Sequence, residues 1–149
     1  MREPYTQLYV HLVWSTWDRH PLLTPDFVRR VYACMKAECD KLKATLIAIG
    51  GTADHVHVLV RIPTTVSIAT LVKQLKGCSS HLVNHELGGQ GAFRWQEGYG
   101  AFTVSKSVGP VVRAYIQNQE RHHQQGTTDK DLEICWAEAA PKPGEAPGN

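Results

Sequence analysis

Two groups of residues in this 149-residue chain have the types and spacing that chemistry needs. The first is His55-Val56-His57, inside the run His55-Val56-His57-Val58-Leu59-Val60-Arg61-Ile62. Strand side chains alternate faces, so His55, His57, Leu59 and Arg61 share one side and the valines and Ile62 the other. Two imidazoles side by side on a rigid strand can converge on one metal ion. The plain alternative is a pair of polar residues on a solvated strand face. No third strong ligand adjoins the run, and Asp54 points to the opposite face if the strand has begun there. The second group is Tyr115 with Gln119, in Pro110-Val111-Val112-Arg113-Ala114-Tyr115-Ile116-Gln117-Asn118-Gln119. Four residues apart on a helix, the two share one face. A packed aromatic explains such a tyrosine; so does a phenol nucleophile with an amide oxygen one turn away as third metal ligand. Carbonyl and imidazole donors suit Mg2+ or Mn2+ at a site that also takes a phosphate oxygen.

Elements must position these groups. Thr6 to Trp14, rich in β-branched and aromatic residues, reads as a strand. Thr24-Pro25-Asp26 reads as a helix start, and apolar residues at helical spacing carry that helix to about Lys43. Thr45 to Ile49 and His55 to Ile62 read as strands flanking the turn Gly50-Gly51-Thr52-Ala53-Asp54. A second helix starts near Ser67 and ends at Gly88-Gly89. Tyr99 to Val104 is a fourth strand, and Pro110 opens a third helix running to about His123. The first six elements match an α+β, ferredoxin-like or RRM-like split βαβ sandwich, with a catalytic helix added at its C-terminal end. That topology predicts the first and third strands as a central, adjacent, parallel pair. It places the helices on one face of the sheet and leaves the face carrying His55 and His57 open.

Length and composition bound the rest. One compact domain over residues 1–125 accommodates every element, leaving 126–149 as a tail. Ala139 to Asn149, rich in proline and glycine, is expected to be poorly ordered. Hydrophobic residues make up 42% of the chain, too many for a disordered protein. No apolar run suffices for a membrane span, and Met1-Arg2-Glu3-Pro4-Tyr5 lacks the apolar stretch of a secretory signal, so a cytoplasmic protein is expected. Cys34, Cys39, Cys78 and Cys135 form no Cys-x-x-Cys pair and read as reduced, mostly buried thiols. The net charge is +2, but residues 1–125 hold 14 bases and 9 acids, a balance that tolerates a polyanionic partner.

His55-Val56-His57 matches the histidine–hydrophobe–histidine (HUH) motif. With Tyr115-Ile116-Gln117-Asn118-Gln119 downstream, the chain resembles the small HUH tyrosine transposases of the TnpA type, among them the REP-associated tyrosine transposases. Further matches are His11-Leu12-Val13-Trp14-Ser15-Thr16, Asp54-His55-Val56-His57-Val58-Leu59-Val60, Leu75-Lys76-Gly77-Cys78-Ser79-Ser80 and Trp95-Gln96-Glu97-Gly98-Tyr99. Together they span about residues 6–124 in the family's order. The resemblance implies Tyr115 as nucleophile and His55, His57 and Gln119 as ligands of a divalent cation. It implies cleavage and rejoining of single-stranded DNA near hairpin ends through a 5′-phosphotyrosine. It also implies a homodimer in which the tyrosine helix of one subunit completes the histidine site of the other. Trp17-Asp18 departs from the family, standing where many members carry a lysine.

Arg61, Lys73, Lys76, Lys106 and Arg113 are the bases placed nearest DNA, with a solvated charged face as the alternative for each. Trp14, Trp17 and Trp95 could stack on unpaired bases, or belong to core and rim. His81 and His85, like His122 and His123, suit helix ends electrostatically. His11 stays unassigned, since strand parity there is uncertain. The rival functions are a non-catalytic RRM-like module that binds single-stranded nucleic acid, and a phosphoesterase without a covalent intermediate. The first is disfavoured by histidines where such modules carry aromatics; the second leaves Tyr115 without a role. A host enzyme of the same family serving housekeeping DNA processing is a subtler alternative.

Overall fold

A computed structural model describes residues 2–135. Four strands form one sheet in the order β2-β3-β1-β4: β1 is Tyr9–Ser15, β2 Thr45–Gly51, β3 His55–Arg61 and β4 Gly100–Val104. Helices α1 (Val28–Lys41) and α2 (Ile68–Glu86) cover one face. Helix α3 (Gly109–Gln117) lies against β2 and β3 on the other face, followed by the short α4 (Gln119–Gln125) and a 3-10 turn at Lys130–Glu133. This is the expected α+β sandwich with an added C-terminal helix.

The sheet departs from expectation in direction. β1 and β3 are adjacent, but antiparallel, with Val13 opposite His57 and Ser15 opposite His55. Chain geometry requires it. The crossover through α1 returns β2 parallel to β1, and the tight turn after Gly51 then reverses the chain, so β3 must oppose β1. All three pairings are antiparallel.

Alternation decides what each face holds. Val10, Leu12 and Trp14 of β1 and Val56, Val58 and Val60 of β3 meet Val31, Met35, Leu71, Val72 and Leu75 of the two helices in the main core. Each such aliphatic side chain, fully buried, contributes roughly 1.5–3 kcal/mol. Trp14 and Trp95 stand edge to face in this core with centroids 5.9 Å apart. Neither is available for stacking on bases, whereas Trp17 is 44% exposed with the Arg94 guanidinium 4.1 Å from its ring centre.

Helix boundaries shift for local reasons. Thr24 to Phe27 form a turn without a side-chain cap, so α1 begins at Val28. Ser67 caps α2, its hydroxyl accepting the Thr70 amide at 3.1 Å. The helix expected from Pro110 to His123 is two helices. It breaks at Asn118 (φ −109°, ψ 25°), whose side-chain amide donates to the Ala114 carbonyl at 2.7 Å. Among the described residues no helix is long and apolar enough to cross a membrane. The four cysteines are free; Cys39 and Cys135 are buried and the other two half-buried. The tail expectation for Ala139–Asn149 lies outside the described residues.

Candidate metal and tyrosine site

His55 and His57 project from β3 on the face away from α1 and α2, as their alternation requires. That face is closed here. Val112 and Ile116 of α3 pack on Ala48 and Leu59 in a second, small core. The packing is close because β2 has no side chain where α3 crosses: a Cβ on Gly50 would stand 2.2 Å from the Ile116 carbonyl oxygen. His55 and His57 are consequently 1% and 0% exposed.

The helix break keeps Tyr115 and Gln119 together. The Gln119 side chain is buried, its Nε2 donates to the Tyr115 carbonyl at 3.3 Å and its Oε1 lies 3.1 Å from His55 Nε2. The Tyr115 ring stands edge-on to His57, centroids 5.9 Å apart, and stacks on His122 at 4.8 Å. All four residues named from the sequence meet within one chain.

The sequence reading found no third strong ligand; the fold supplies one. The segment after α4 turns back at Gly126 (φ 66°) and brings Glu133 over the histidines. Its Oε2 lies 3.0 Å from His57 Nε2 and 3.5 Å from His55 Nε2. Its Oε1 accepts the Tyr115 hydroxyl at 2.5 Å. The Asp129 amide donates to the same phenol oxygen at 3.0 Å. Residues 126–135, assigned to the tail from sequence, therefore form one wall of the site. Glu133 has no periodicity or motif that marks it, and only the folded chain joins it to a histidine 76 residues earlier.

Further polar groups surround the histidines. Asp54 does not point away: β3 begins only at His55, and the Asp54 carboxylate meets His55 Nδ1 at 2.8 Å. Thr52 Oγ1 reaches the same nitrogen at 2.8 Å. His11, unassigned from sequence, is fully buried with Nε2 2.8 Å from His57 Nδ1. His123 lies 3.2 Å from Gln119 Oε1, whereas His81 and His85 stack on each other at the end of α2, at 4.3 Å.

Burial and pairing set the charges. Burial, with the neighbouring His57, drives His11 down to about 3, and burial also lowers His57, which favours the neutral form of each ring. Burial pushes Glu133 upward, but the hydrogen bond and charge of His57, with the phenol's hydrogen bond, outweigh it and hold the carboxyl at about 2. Burial, then the hydrogen bond to Glu133, pushes the Tyr115 phenol up to about 12. The site thus joins an ionised carboxylate, an amide oxygen and two imidazoles, a donor set that fits a divalent cation.

The proposed DNA-facing bases divide. Lys106 and Arg113 line a hollow of about 260 Å³ with Tyr9, Ile47 and Leu59, on the sheet face of the site. Arg61, at the far end of β3, donates to the Thr6 carbonyl at 2.6 Å. Lys73 is exposed on α2, across the sheet. Lys76 is half-buried and donates to the carbonyls of Gln96 and Gly98 at 2.8 and 2.7 Å, fastening the loop before β4.

Comparison with known proteins agrees with this architecture. The chain is 27% identical over 122 residues to the transposase for insertion sequence element IS200 of Salmonella typhimurium, spanning 78% of this chain and 79% of that protein. The Salmonella typhi IS200 transposase matches to the same extent. A crystal structure of a candidate transposase from Deinococcus radiodurans R1 superposes with a TM-score of 0.63 at 27% identity, covering 80% of this chain and 95% of that one. A REP-associated tyrosine transposase bound to a REP hairpin shares the fold, with a TM-score of 0.62 at 11% identity over 97% of this chain and 94% of its own. The family model for IS200-like transposases matches residues 4–119, a span that includes both histidines, Tyr115 and Gln119, and the chain belongs to that family.

Proposed function

We propose that this transposase cuts and rejoins single-stranded DNA by attack of Tyr115 on a phosphodiester held beside His55 and His57. One observation carries the reading: the Tyr115 hydroxyl and both histidine Nε2 atoms converge on the single carboxylate of Glu133, within 3.5 Å. His55, His57, Gln119 and Glu133 are the groups that would hold Mg2+ or Mn2+. A cation so held would polarise the phosphate and offset charge in the transition state.

The remaining steps belong to the chain. The phenol oxygen attacks phosphorus, the P–O3′ bond breaks, and a free 3′-hydroxyl leaves. The phenol proton passes to the hydrogen-bonded acceptor, and the departing 3′ oxygen takes one from water. The 5′-phosphotyrosine conserves the phosphodiester, so return attack by a 3′-hydroxyl rejoins DNA without ATP. Asp129 and Glu133 orient the phenol, while Lys106 and Arg113 offer phosphate contacts on the same face. Hairpin DNA at the ends of a mobile element is the substrate we assign, following the hairpin held by the REP-associated structure.

Sequence resemblance suggests a dimer with sites shared in trans. Within one chain Tyr115 and Gln119 lie against that chain's own histidines, a place that the partner's helix would take in a trans site. A trans site requires α3 to leave β2, pivoting about Gly109.

The deciding experiment incubates wild type and Tyr115→Phe with end-labelled single-stranded hairpin DNA and resolves the products on denaturing gels. A covalent protein–DNA adduct is expected for wild type alone, with hairpin binding retained by the variant. An adduct of normal yield with Tyr115→Phe refutes the assignment.

A further inference from the structure

We propose that His11 is a positioning residue for the cation site: through its hydrogen bond to His57 it sets which ring nitrogen of His57 carries the proton. The inference rests on the cation reading above.

His11 sits in the middle of β1, diagonal to His57 across the β1–β3 pairing, and is fully buried. The two rings stack with centroids 5.0 Å apart and planes inclined by 30°. Nε2 of His11 lies 2.8 Å from Nδ1 of His57, while Nδ1 of His11 is buried with no partner among the described residues. Phe102, 5.7 Å away on β4, is its other ring neighbour. Packing alone does not account for an imidazole here. A phenyl ring would fill much the same space and leave no polar atom unpaired, and buried polar groups are normally paired.

The proton positions supply the account. His57 Nε2 faces Glu133 Oε2 at 3.0 Å. An ionised carboxylate only accepts, so without a cation the proton of neutral His57 sits on Nε2, and its Nδ1 accepts from His11 Nε2–H. A ligating Nε2 must offer its lone pair instead. The His57 proton then sits on Nδ1 and donates to His11 Nε2, and the proton of His11 sits on its Nδ1, the nitrogen without a partner. Each ring keeps one proton throughout, so this exchange needs no charge on either ring and releases no proton from the pair. His55 is arranged differently. Its Nδ1 faces the Asp54 carboxylate at 2.8 Å, which fixes Nδ1–H and leaves Nε2 permanently inward. One histidine is set by a carboxylate, and the other adapts through a second imidazole.

The test uses the full chain and two readouts other than turnover. Mn2+ affinity is measured by titration calorimetry for wild type, His11→Phe and His11→Gln. Nitrogen-15 NMR of the imidazoles follows the His57 tautomer with and without Mg2+. Loss of a partner behind a metal-bound histidine weakens binding about 10–100-fold, so His11→Phe should bind Mn2+ at least about tenfold more weakly. His11→Gln, whose amide oxygen can accept from Nδ1–H, should recover most of that loss. In wild type the His57 proton should move from Nε2 to Nδ1 on adding Mg2+. Equal Mn2+ affinity in wild type and folded His11→Phe overturns the role of His11 while the cation site stands. Absence of cation binding to wild type overturns both. If His11→Phe does not fold, the tautomer measurement decides on the unaltered chain: a His57 that keeps Nε2–H with Mg2+ bound refutes the proposal.

Discussion

A Gly50→Ala substitution adds one methyl group where β2 meets the main chain of α3. The new Cβ would lie 2.2 Å from the Ile116 carbonyl oxygen, where ordinary contact begins at 3.4 Å, so about 1.2 Å must be found. β2 cannot supply it readily, because it is hydrogen-bonded along its length to β3. Helix α3 rests on the small core of Val112, Ile116, Ala48 and Leu59, and it yields first. A displacement of that size lengthens the 3.1 Å approach of Gln119 to His55 to about 4 Å and carries Tyr115 with it. Overpacking of this kind costs about 1–3 kcal/mol, and at roughly 2–4 °C per kcal/mol the melting temperature falls by roughly 2–12 °C. A reacting group misplaced by about 1 Å loses on the order of 100-fold in rate. The expected phenotype is a folded protein that binds hairpin DNA but forms the adduct about 100-fold more slowly, measured by single-turnover cleavage of end-labelled strands. Adduct formation at the wild-type rate would refute the reasoning, since it would mean that the seat of Ile116 on Gly50 does not position the tyrosine.

Three further outcomes follow. His57→Ala should abolish cleavage without unfolding, excess chelator should do the same to wild type, and Gln119→Ala should be milder because water can replace a neutral amide oxygen; full cleavage in chelator rules out the cation. Glu133→Gln removes the carboxylate that, after burial, raises the Tyr115 phenol to about 12, so its titration should move down while burial holds it above 10, and its phenolate fraction at a fixed lower pH should rise by less than the about 100-fold of a full return to 10. Phenolate absorbance, taken as a difference against Tyr115→Phe, reports this, and an unmoved titration removes Glu133 from the account. Mixed dimers of Tyr115→Phe and His57→Ala test the sharing in trans that the resemblance implies: cleavage should reappear in verified heterodimers, and heterodimers that stay inactive establish a cis site.

The sequence was most legible where a regular period carried information. Alternation along β3 put His55 and His57 together and away from the valines, and the four-residue step put Gln119 beside Tyr115 even across the break at Asn118. What stayed hidden depended on non-local geometry. Strand direction needed the whole crossover, not its local patterns. Glu133 lies in a segment with no apolar period, and its place is fixed by a turn at Gly126 and by close backbone contact: a Cβ on Gly100 would stand 1.9 Å from the Ile134 carbonyl oxygen. His11 was visible as a residue type, but its role needed the diagonal across β1 and β3. Lys76 shows the converse limit, since a lysine on a helix gave no sign that two carbonyls hold its ammonium.

The two apolar cores are unequal. Among the described residues eighteen buried side chains form the core beneath α1 and α2, whereas four form the core that seats α3. Elements with few buried contacts open at lower free energy than the fold as a whole. His55 and His57 lie buried beneath α3, so on the proposed chemistry a phosphate would reach them only during such an opening. Strand cleavage would then be gated kinetically: as DNA concentration rises, the observed rate would level off at the frequency with which α3 lifts and reseats Tyr115.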